Sequence, residues 1–376
     1  MVLASPPSSV PPLGRSIASS LSAPQHGPRP LPLFLSILWT ETAQDSDLRQ
    51  RAFAGLRRYQ QAPRPPDIAP PRVAARAGRA ALLTRDGGEP ASRARAPVVL
   101  IPSLINPPCI LDLTEQRSLL RFLLRNNHDA YVMDWGRPEP GEQESDLADH
   151  VARLLLPLLA GFEQPPILVG YCLGGTLAIG AAARMATLGQ PAQGLATIAA
   201  PWDFAQYDAA FRAQIAQIWQ RAEPGCTALG LVPMEVFQTG FWSLDPARTI
   251  AKYARFAAME ADTPAYRGFI AVEDWANDGA PLTLACGRDL AQRCYEGNMT
   301  ASGQWSILGT RVDPAALACP TLAIASTSDR IVPAAAAPPA GERLDLALGH
   351  VGMMIGSQAQ ERLWRGLSDW LTRTGG

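Results

Sequence analysis

One cysteine in this 376-residue sequence stands where its neighbours predict a reactive side chain. It is Cys172, in the run "ILVGYCLGGTLAIGAAARM" (167–185), which begins as an apolar strand and continues as a helix of small residues. A nucleophile on such a strand-to-helix turn has a strained backbone, so the residues two positions before and after it must be small. Gly170 and Gly174 meet this requirement. The pattern predicts a nucleophile elbow that carries a thiol where a serine is usual.

The predicted elbow also indicates how the thiol could act. The backbone N–H of Leu173 follows the nucleophile, and at that position it can stabilise the oxyanion of a tetrahedral intermediate. The positive end of the following helix favours the thiolate form of Cys172. A second oxyanion donor usually comes from the loop after an earlier strand, but that loop reads "SLINPP" (103–108) and identifies no donor.

Four histidines are candidates for the general base that a nucleophilic thiol needs. His350 follows a predicted strand in "ALGHVGMM" (347–354), and the glycines beside it suit a loop close to a substrate. His26 lies in a proline-rich tail, His128 at a polar helix exit, and His150 on the predicted exposed side of a helix. We therefore predict His350 as the base.

The base needs an acid to orient it, and on this kind of turn the order along the chain is nucleophile, acid, histidine. Asp329 fits that order, because "STSDRIVP" (326–333) places it at the end of the strand that precedes His350. Four other carboxylates remain open as rivals for an acidic role: Asp112, Asp274, Asp278 and Asp289.

The elements that must position these residues alternate between strands and helices. Such alternation predicts an α/β fold, with a mostly parallel sheet that helices cover on both faces. The predicted strands cover 96–104, 129–135, 165–172, 194–201, 319–329 and 342–350, and the predicted helices cover 116–127, 146–162, 176–188 and 357–372.

The alternation is interrupted, which predicts a division of the chain into parts. Residues 1–32 are rich in proline, serine and alanine and are predicted to be a disordered tail. Residues 33–95 are a helical and proline-rich extension, with one helix over 33–62. The core is divided between 96–202 and 314–376, and the aromatic-rich segment 203–313 is predicted to form a helical cap over the carboxyl ends of the strands.

Composition excludes several classes of protein. A net charge of −1 gives no general attraction to nucleic acid or anionic lipid. Six cysteines without a CxxC pair indicate neither a metal site nor a disulfide scaffold, and a reduced, cytoplasmic protein fits them better. The most apolar early run, "LPLFLSILW" (31–39), is shorter than the roughly 20 residues that span a membrane.

Several segments resemble, in order, the polyhydroxyalkanoate synthase family of the α/β-hydrolase superfamily, and its short class III members more than its long ones. The similarity runs from about residue 97 to about residue 356. The matching segments are "PVVLIPSLINPPCILDL" (97–113), "AYVMDWGRPEP" (130–140), "GYCLGG" (170–175), "DWANDGAPL" (274–282), "ILGTRVDPAALACPTLAIASTSDRIVP" (307–333) and "LGHVGMM" (348–354).

The resemblance implies an acyltransferase that polymerises 3-hydroxyacyl groups from coenzyme A. Cys172 would carry the acyl group as a thioester, with His350 as base and Asp329 as its orienting acid. It implies no metal or other cofactor, with the coenzyme A thioester as substrate and a polyester chain as product. It also implies a homodimer, room for an accessory synthase subunit, and a location in the cytoplasm or at a polyester granule. Four residues in matching segments are candidates for substrate binding: Asn106, Asp112, Trp275 and Asp278.

Two other readings use the same residues. Dienelactone hydrolases also carry Gly-Tyr-Cys-Leu-Gly-Gly, and a cysteine-dependent thioesterase or esterase needs the same Cys172, Asp329 and His350. The long insertion before Asp329 argues against the compact dienelactone hydrolases. A catalytically inactive interaction protein is the third alternative, and the intact order of cysteine, aspartate and histidine argues against it.

Overall fold

The computed structural model describes residues 27–64, 69–86 and 95–375. Eight of the strands in these ranges form one sheet, in the order β1-β2-β4-β3-β5-β6-β11-β12, and the other four form two short ribbons. In chain order the strands are β1 (Arg72–Ala77), β2 (Ala80–Thr84), β3 (Val98–Ile101), β4 (Ala130–Asp134), β5 (Ile167–Tyr171), β6 (Gly194–Ile198), β7 (Leu231–Val232), β8 (Leu282–Thr283), β9 (Ser306–Ile307), β10 (Thr310–Arg311), β11 (Thr321–Ser326) and β12 (Glu342–Leu346).

Helices cover both faces of this sheet. Neighbouring strands from β4 to β12 run parallel, and only the β1–β2 and β2–β4 pairs are antiparallel. The helices are α1 (Leu31–Glu41), α2 (Ser46–Gln61), α3 (Leu119–Arg125), α4 (Leu147–Asp149), α5 (Leu156–Leu159), α6 (Leu173–Thr187), α7 (Ala209–Leu229), α8 (Met234–Leu244), α9 (Pro246–Ala257), α10 (Pro264–Ala276), α11 (Leu284–Arg288), α12 (Gly352–Ile355) and α13 (Arg365–Gly375). The predicted fold class is confirmed.

Alternating side chains divide the core between the two faces. In β3, Val99 and Ile101 pack with α6 on one face, whereas Val98 and Leu100 pack with α3 and α13 on the other. All four are at most 1% exposed. Such continuous burial is expected of a central strand in a parallel sheet, which is covered on both sides.

The sheet begins earlier in the chain than the sequence predicts. We expected the core to start at residue 96, but β1 and β2 form a hairpin that adds two antiparallel strands at one edge. The hairpin turns at Gly78, whose φ of 54° suits glycine. β1 carries exposed arginine and alanine residues, because one of its faces is open to solvent, and so it lacks the apolar run that reveals a buried strand.

The N-terminal extension contains two helices where one was predicted. The chain leaves α1 after Glu41, and Asp45 caps α2 by accepting a hydrogen bond from the Leu48 N–H at 2.8 Å. The predicted disordered tail (1–32) lies mostly outside the described residues. Its last residues are held by the Arg29 N–H, which donates to Asn277 Oδ1 at 2.8 Å, and α1 begins at Leu31. This part of the prediction is wrong, because prolines at the start of α1 suit its first turn.

The segment between β6 and β11 contains helices α7 to α11, and we call residues 203–313 the insertion. Helices α1 and α2 pack on its α9 and α10, where they form a third apolar cluster that includes Phe34, Tyr59 and Tyr253. No helix of the described residues is long and apolar enough to span a membrane.

Candidate active site

Cys172 occupies a sharp turn between β5 and α6. Its φ of 55° and ψ of −134° are rare for any residue other than glycine, and such strain is typical of a nucleophile held on an elbow. A Cβ atom at Gly174 would overlap the backbone oxygens of Ile101 and Pro102, and one at Gly170 would overlap the backbone of Gly175. The turn therefore depends on both glycines, as the spacing in the sequence predicts.

The structure brings His350 and Asp329 together at the same edge of the sheet. His350 Nδ1 lies 2.6 Å from Asp329 Oδ2. The Asp329 side chain is fully buried, and its Oδ1 accepts hydrogen bonds from the Ile331 and Val332 N–H groups at 2.7 and 3.1 Å. Since these bonds hold the carboxylate and the carboxylate holds Nδ1, the imidazole keeps Nε2 free for another partner.

The other partner is the nucleophile candidate. Burial by itself lowers the pKa of His350, but the negative charge of a Cys172 thiolate and the hydrogen bonds with Asp329 and Cys172 raise it to about 10. His350 is therefore placed to take the proton of the Cys172 thiol.

Tyr171 packs against the imidazole ring of His350. The two ring centroids are 5.1 Å apart, and the Tyr171 hydroxyl donates to the backbone oxygen of His350 at 3.3 Å. Burial raises the pKa of Tyr171 well above its ordinary value, so that the hydroxyl stays protonated and remains a donor. Tyr171 directly precedes Cys172, and so the elbow itself helps to position the base.

Cys172 lies where two cavities meet. The first, which we call the wide cavity, has a volume of about 440 Å³ and is lined by His350 and by residues of α8, α9 and α10. Its wall includes three cations, Arg248, Lys252 and Arg330. The side-chain carboxylates of Asp245 and Glu273 also line it.

The second, which we call the narrow cavity, has a volume of about 90 Å³ and lies between the sheet edge and helices α7, α8 and α11. Its wall is mostly aliphatic and aromatic. The polar atoms among its lining side chains belong to Cys172, Tyr207, Tyr295 and Trp219. Together, the two cavities offer one polar and one apolar path to the same sulfur atom.

The predicted substrate-binding residues divide into two pairs. Asn106 and Trp275 line the wide cavity, and Trp275 Nε1 donates to the Pro107 oxygen at 2.9 Å. Asp112 lines neither cavity: it forms ion pairs with Arg85 and Arg121 and accepts from Ser118 Oγ at 2.7 Å.

Asp278 also lines neither cavity. Its side chain is 68% exposed and lies 3.7 Å from the Arg137 guanidinium.

Leu173, whose N–H is the predicted oxyanion donor, begins α6 and lines the narrow cavity. In the loop after β3, the Ile105 N–H donates to Ser103 Oγ at 3.2 Å.

Asp274 and Asp289, the other two candidates for the acidic role, form ion pairs elsewhere. Asp274 accepts from the Tyr59 hydroxyl and binds Arg64 at 2.7 Å, which ties the N-terminal extension to α10. Asp289 binds Arg293 at 2.9 Å and accepts from the Leu147 N–H at 3.2 Å.

His150 is buried, contrary to the exposed position expected from the sequence. Its Nε2 contacts the Arg79 guanidinium at 2.8 Å, and Cys286 Sγ lies 3.7 Å from its Nδ1. His150 is not exposed because Arg79, at the turn of the β1–β2 hairpin, covers the face of the helix that carries it. His128 is also buried and contacts Ser368 Oγ at 2.8 Å.

The sequence analysis identified Asn106 and Trp275 of the wide cavity but not its cations, and it did not identify the polar aromatic residues of the narrow cavity. One signal was present: Lys252 is the single lysine of the chain, and it lies in the wide cavity. Tyr207, Trp219 and Tyr295 had no such signal, because an aromatic residue at helical spacing is usual in a core. The described residues contain no cluster of three or more histidine, cysteine, aspartate or glutamate side chains arranged to hold a metal ion.

Comparison with known proteins agrees with the fold class. A model of the alpha/beta hydrolase family matches residues 98–364. The chain belongs to this family. Among solved structures, an esterase from Thermogutta terrifontis aligns over 82% of this hydrolase-family chain and 100% of its own, at 16% identity and a TM-score of 0.44, a likeness too distant to add to the family match.

Relatives of this alpha/beta hydrolase include proteins named poly(3-hydroxyalkanoate) polymerase subunit PhaC. The one from Haloferax mediterranei is 28% identical over 73% of this chain and 58% of its own length. The one from Haloarcula marismortui is 27% identical, over 73% and 60% respectively, and the one from Allochromatium vinosum is 25% identical, over 73% and 80%. The chain thus spans less than two thirds of the first two relatives. Their names confirm the resemblance predicted from the sequence.

Proposed function

We propose that this protein is an acyltransferase that polymerises 3-hydroxyacyl groups from coenzyme A into a polyester. The observation that carries the proposal is the position of Cys172 on an elbow, beside the His350–Asp329 pair and at the junction of a polar and an apolar cavity. The polymerase relatives support the substrate class.

The first half-reaction loads the acyl group. His350 takes the Cys172 proton, and the thiolate attacks the carbonyl carbon of the acyl-coenzyme A. The Leu173 N–H stabilises the resulting oxyanion. The carbon–sulfur bond to coenzyme A then breaks, and the leaving thiolate takes the proton from His350. The products are free coenzyme A and an acyl thioester on Cys172.

The second half-reaction extends the chain. His350, neutral again, removes the proton from the 3-hydroxyl group of another unit, and that oxygen attacks the thioester on Cys172. An ester bond forms, the carbon–sulfur bond breaks, and Cys172 recovers its proton from His350. Because a Cys172 thioester and a coenzyme A thioester are close in free energy, acyl groups can load and leave without a deep trap, whereas a serine ester would hold them more firmly.

The wide cavity is suited to the coenzyme A part of the substrate. Two of its cations are partly neutralised, since Lys252 Nζ binds Glu273 at 2.7 Å and Arg330 forms an ion pair with Asp245. Arg248 forms no ion pair among the described residues. Three cations against two carboxylates leave this wall with an excess of positive charge, which favours a phosphate-bearing substrate.

The narrow cavity favours transfer over hydrolysis. Its apolar wall encloses one side of Cys172, where it limits the water that can reach the thioester. A thioesterase or dienelactone hydrolase activity is the second candidate, because the wide cavity reaches His350 and is polar enough to admit water.

The assembly and location expected from the sequence belong to this proposal as well. The relatives are named as polymerase subunits, which supports a second subunit alongside a homodimer. We propose that the protein acts in the cytoplasm at the surface of the polyester granule. Light scattering of the purified protein, with and without nascent polyester, would measure both the oligomer and its attachment.

Incubation of the purified protein with 3-hydroxybutyryl-coenzyme A tests the proposed reaction. Release of coenzyme A together with insoluble polyester supports the synthase. Release with only free acid supports a thioesterase, and hydrolysis of a dienelactone alone supports the other hydrolase. Cys172→Ala should abolish release. Cys319→Ala is the matched control, because Cys319 precedes β11 at the opposite edge of the sheet and should keep full activity.

A further inference from the structure

A single indole group distinguishes the narrow cavity from an ordinary apolar pocket. Trp219 lines this cavity from α7 and is only 5% exposed. Its Nε1 atom is buried and has no hydrogen-bond partner among the described residues. A buried N–H without a partner costs about 1–3 kcal/mol, so such a group is expected to have a partner in some state of the protein.

The orientation of the indole is fixed by its neighbours. A Cβ atom at Gly287 would lie 3.2 Å from Trp219 Cζ3 and 3.3 Å from Cη2, so the six-membered ring packs against α11. The Nε1 atom is at the other end of the indole. The missing side chain of Gly287 therefore leaves room for the indole beside α11.

Two other tryptophans have the same kind of buried indole N–H but lie away from both cavities. Trp305 and Trp364 also have a buried Nε1 without a partner among the described residues. Neither lines the narrow or the wide cavity, and both pack in the protein core, where no ligand can reach them. Of these three tryptophans, Trp219 is the one that lines the cavity beside Cys172.

A second donor lies in the same wall. The rings of Tyr207 and Tyr295 pack edge to face, with their centroids 5.2 Å apart. Burial raises the pKa of both hydroxyl groups, so both keep their protons. Because both residues line the narrow cavity, their protonated hydroxyl groups can donate to a ligand there.

We propose that the narrow cavity binds the acyl chain carried by Cys172, and that Trp219 Nε1 donates a hydrogen bond to the oxygen on its third carbon. That oxygen is a hydroxyl group in a single unit and an ester oxygen in a growing chain. This inference rests on the proposed function and adds a specificity residue to it. An unsubstituted acyl chain would fill the apolar wall but would leave the indole N–H without a partner, and so the site selects 3-hydroxyacyl groups over plain acyl groups.

The test compares two thioesters that differ only in that oxygen. The rate at which Cys172 releases coenzyme A in a first turnover is measured with 3-hydroxybutyryl-coenzyme A and with butyryl-coenzyme A. We expect the wild type to prefer the hydroxylated substrate, and Trp219→Phe to lower that preference by about three- to tenfold, the value of one hydrogen bond. Trp364→Phe makes the same chemical change at a buried indole outside both cavities and should leave the preference unchanged.

Several outcomes would overturn the inference. A wild-type preference below about twofold would do so even if Trp219→Phe failed to fold, because it needs no variant. An unchanged preference in a folded Trp219→Phe protein would also overturn it. So would equal slowing with both substrates, which would mean that the indole acts by shape alone.

A binding measurement separates this inference from the proposed function. If neither thioester acylates the wild type, the proposed function fails. The cavity is then tested with ethyl 3-hydroxybutyrate and ethyl butyrate, by their shift of the melting temperature of the wild type. A larger shift from the hydroxylated ester, lost in Trp219→Phe and kept in Trp364→Phe, supports the inference, and equal shifts from the two esters overturn it.

Discussion

His350 Nδ1 and Asp329 Oδ2 lie 2.6 Å apart, although each belongs to a different loop. Asp329 follows β11 and His350 follows β12, and these two strands pair in parallel, so their carboxyl ends meet at one edge of the sheet. The elbow after β5 opens at the same edge. The parallel sheet thus brings together three side chains that are far apart in the sequence.

Asp329→Asn should slow acylation of Cys172 by about 10²-fold or more, because the amide no longer fixes the proton on His350 Nδ1 and the imidazole loses its role as base. The first-turnover release of coenzyme A measures the rate. Asp345→Asn is the control: Asp345 lies on β12, half exposed and paired with Arg343, and its loss should change the rate less than twofold. Equal effects of the two changes would contradict the role of Asp329.

The raised pKa of His350 predicts how stability depends on pH. Burial lowers this pKa, but Cys172 and Asp329 raise it to about 10 in the folded protein, against about 6.5 in the unfolded chain. Between these values His350 keeps its proton in the folded protein and loses it in the unfolded chain. The stabilising contribution is therefore complete below about pH 6.5 and is lost as the pH rises through about 10.

The melting temperature measured between pH 7 and pH 10 tests this expectation. It should fall more steeply in the wild type than in His350→Gln, which cannot hold the proton. Cys172→Ala should lie between them, because it removes the largest influence that raises the pKa. Parallel curves for the three proteins would show that His350 titrates alike in the folded and unfolded states.

Gly174→Ala should disrupt the elbow, because the added methyl group would overlap the backbone oxygens of Ile101 and Pro102. We expect destabilisation on the order of 1–3 kcal/mol and loss of acylation. Gly225→Ala is the matched control within α7: nothing lies within 4 Å of its added Cβ, and alanine favours a helix. Urea unfolding and first-turnover rates compare the two, and an intact rate in Gly174→Ala would argue against the close packing of this turn.

Phe34→Ala should lower stability by about 3–5 kcal/mol, because the ring is fully buried between Trp242 and Tyr253, with centroids 5.9 and 4.9 Å away. Trp39→Ala, on the same helix and 54% exposed, should cost far less. Urea unfolding curves give both values. If the two changes cost the same, α1 is not docked on the insertion as the structure describes.

Local patterns carried the prediction of the elbow and of the order of strands. Cys172, Gly170 and Gly174 form one continuous run with a strand before and a helix after, so that neighbouring residues suffice to identify it. The choice of His350 and Asp329 needed the order nucleophile, acid, histidine along the chain and the position of each residue at the end of a predicted strand.

Contacts between segments that are distant in the sequence could not be predicted from local sequence patterns. Asp112 was expected near the substrate, but its partner Arg85 follows a hairpin strand that the sequence did not reveal, and the ion pair turns the carboxylate to a structural role. The two cavities arise where helices of the insertion meet the sheet edge. Their polar groups, such as Lys252 and Trp219, become visible only once those helices are placed in space.

Mass analysis of the protein after a brief reaction with a limiting amount of 3-hydroxybutyryl-coenzyme A would show whether Cys172 carries the acyl group. We expect one or more hydroxybutyryl groups on the peptide that contains Cys172, absent from Cys172→Ala and removed by hydroxylamine. An unmodified Cys172, with coenzyme A released or the label found on an exposed residue such as Cys109, would contradict it.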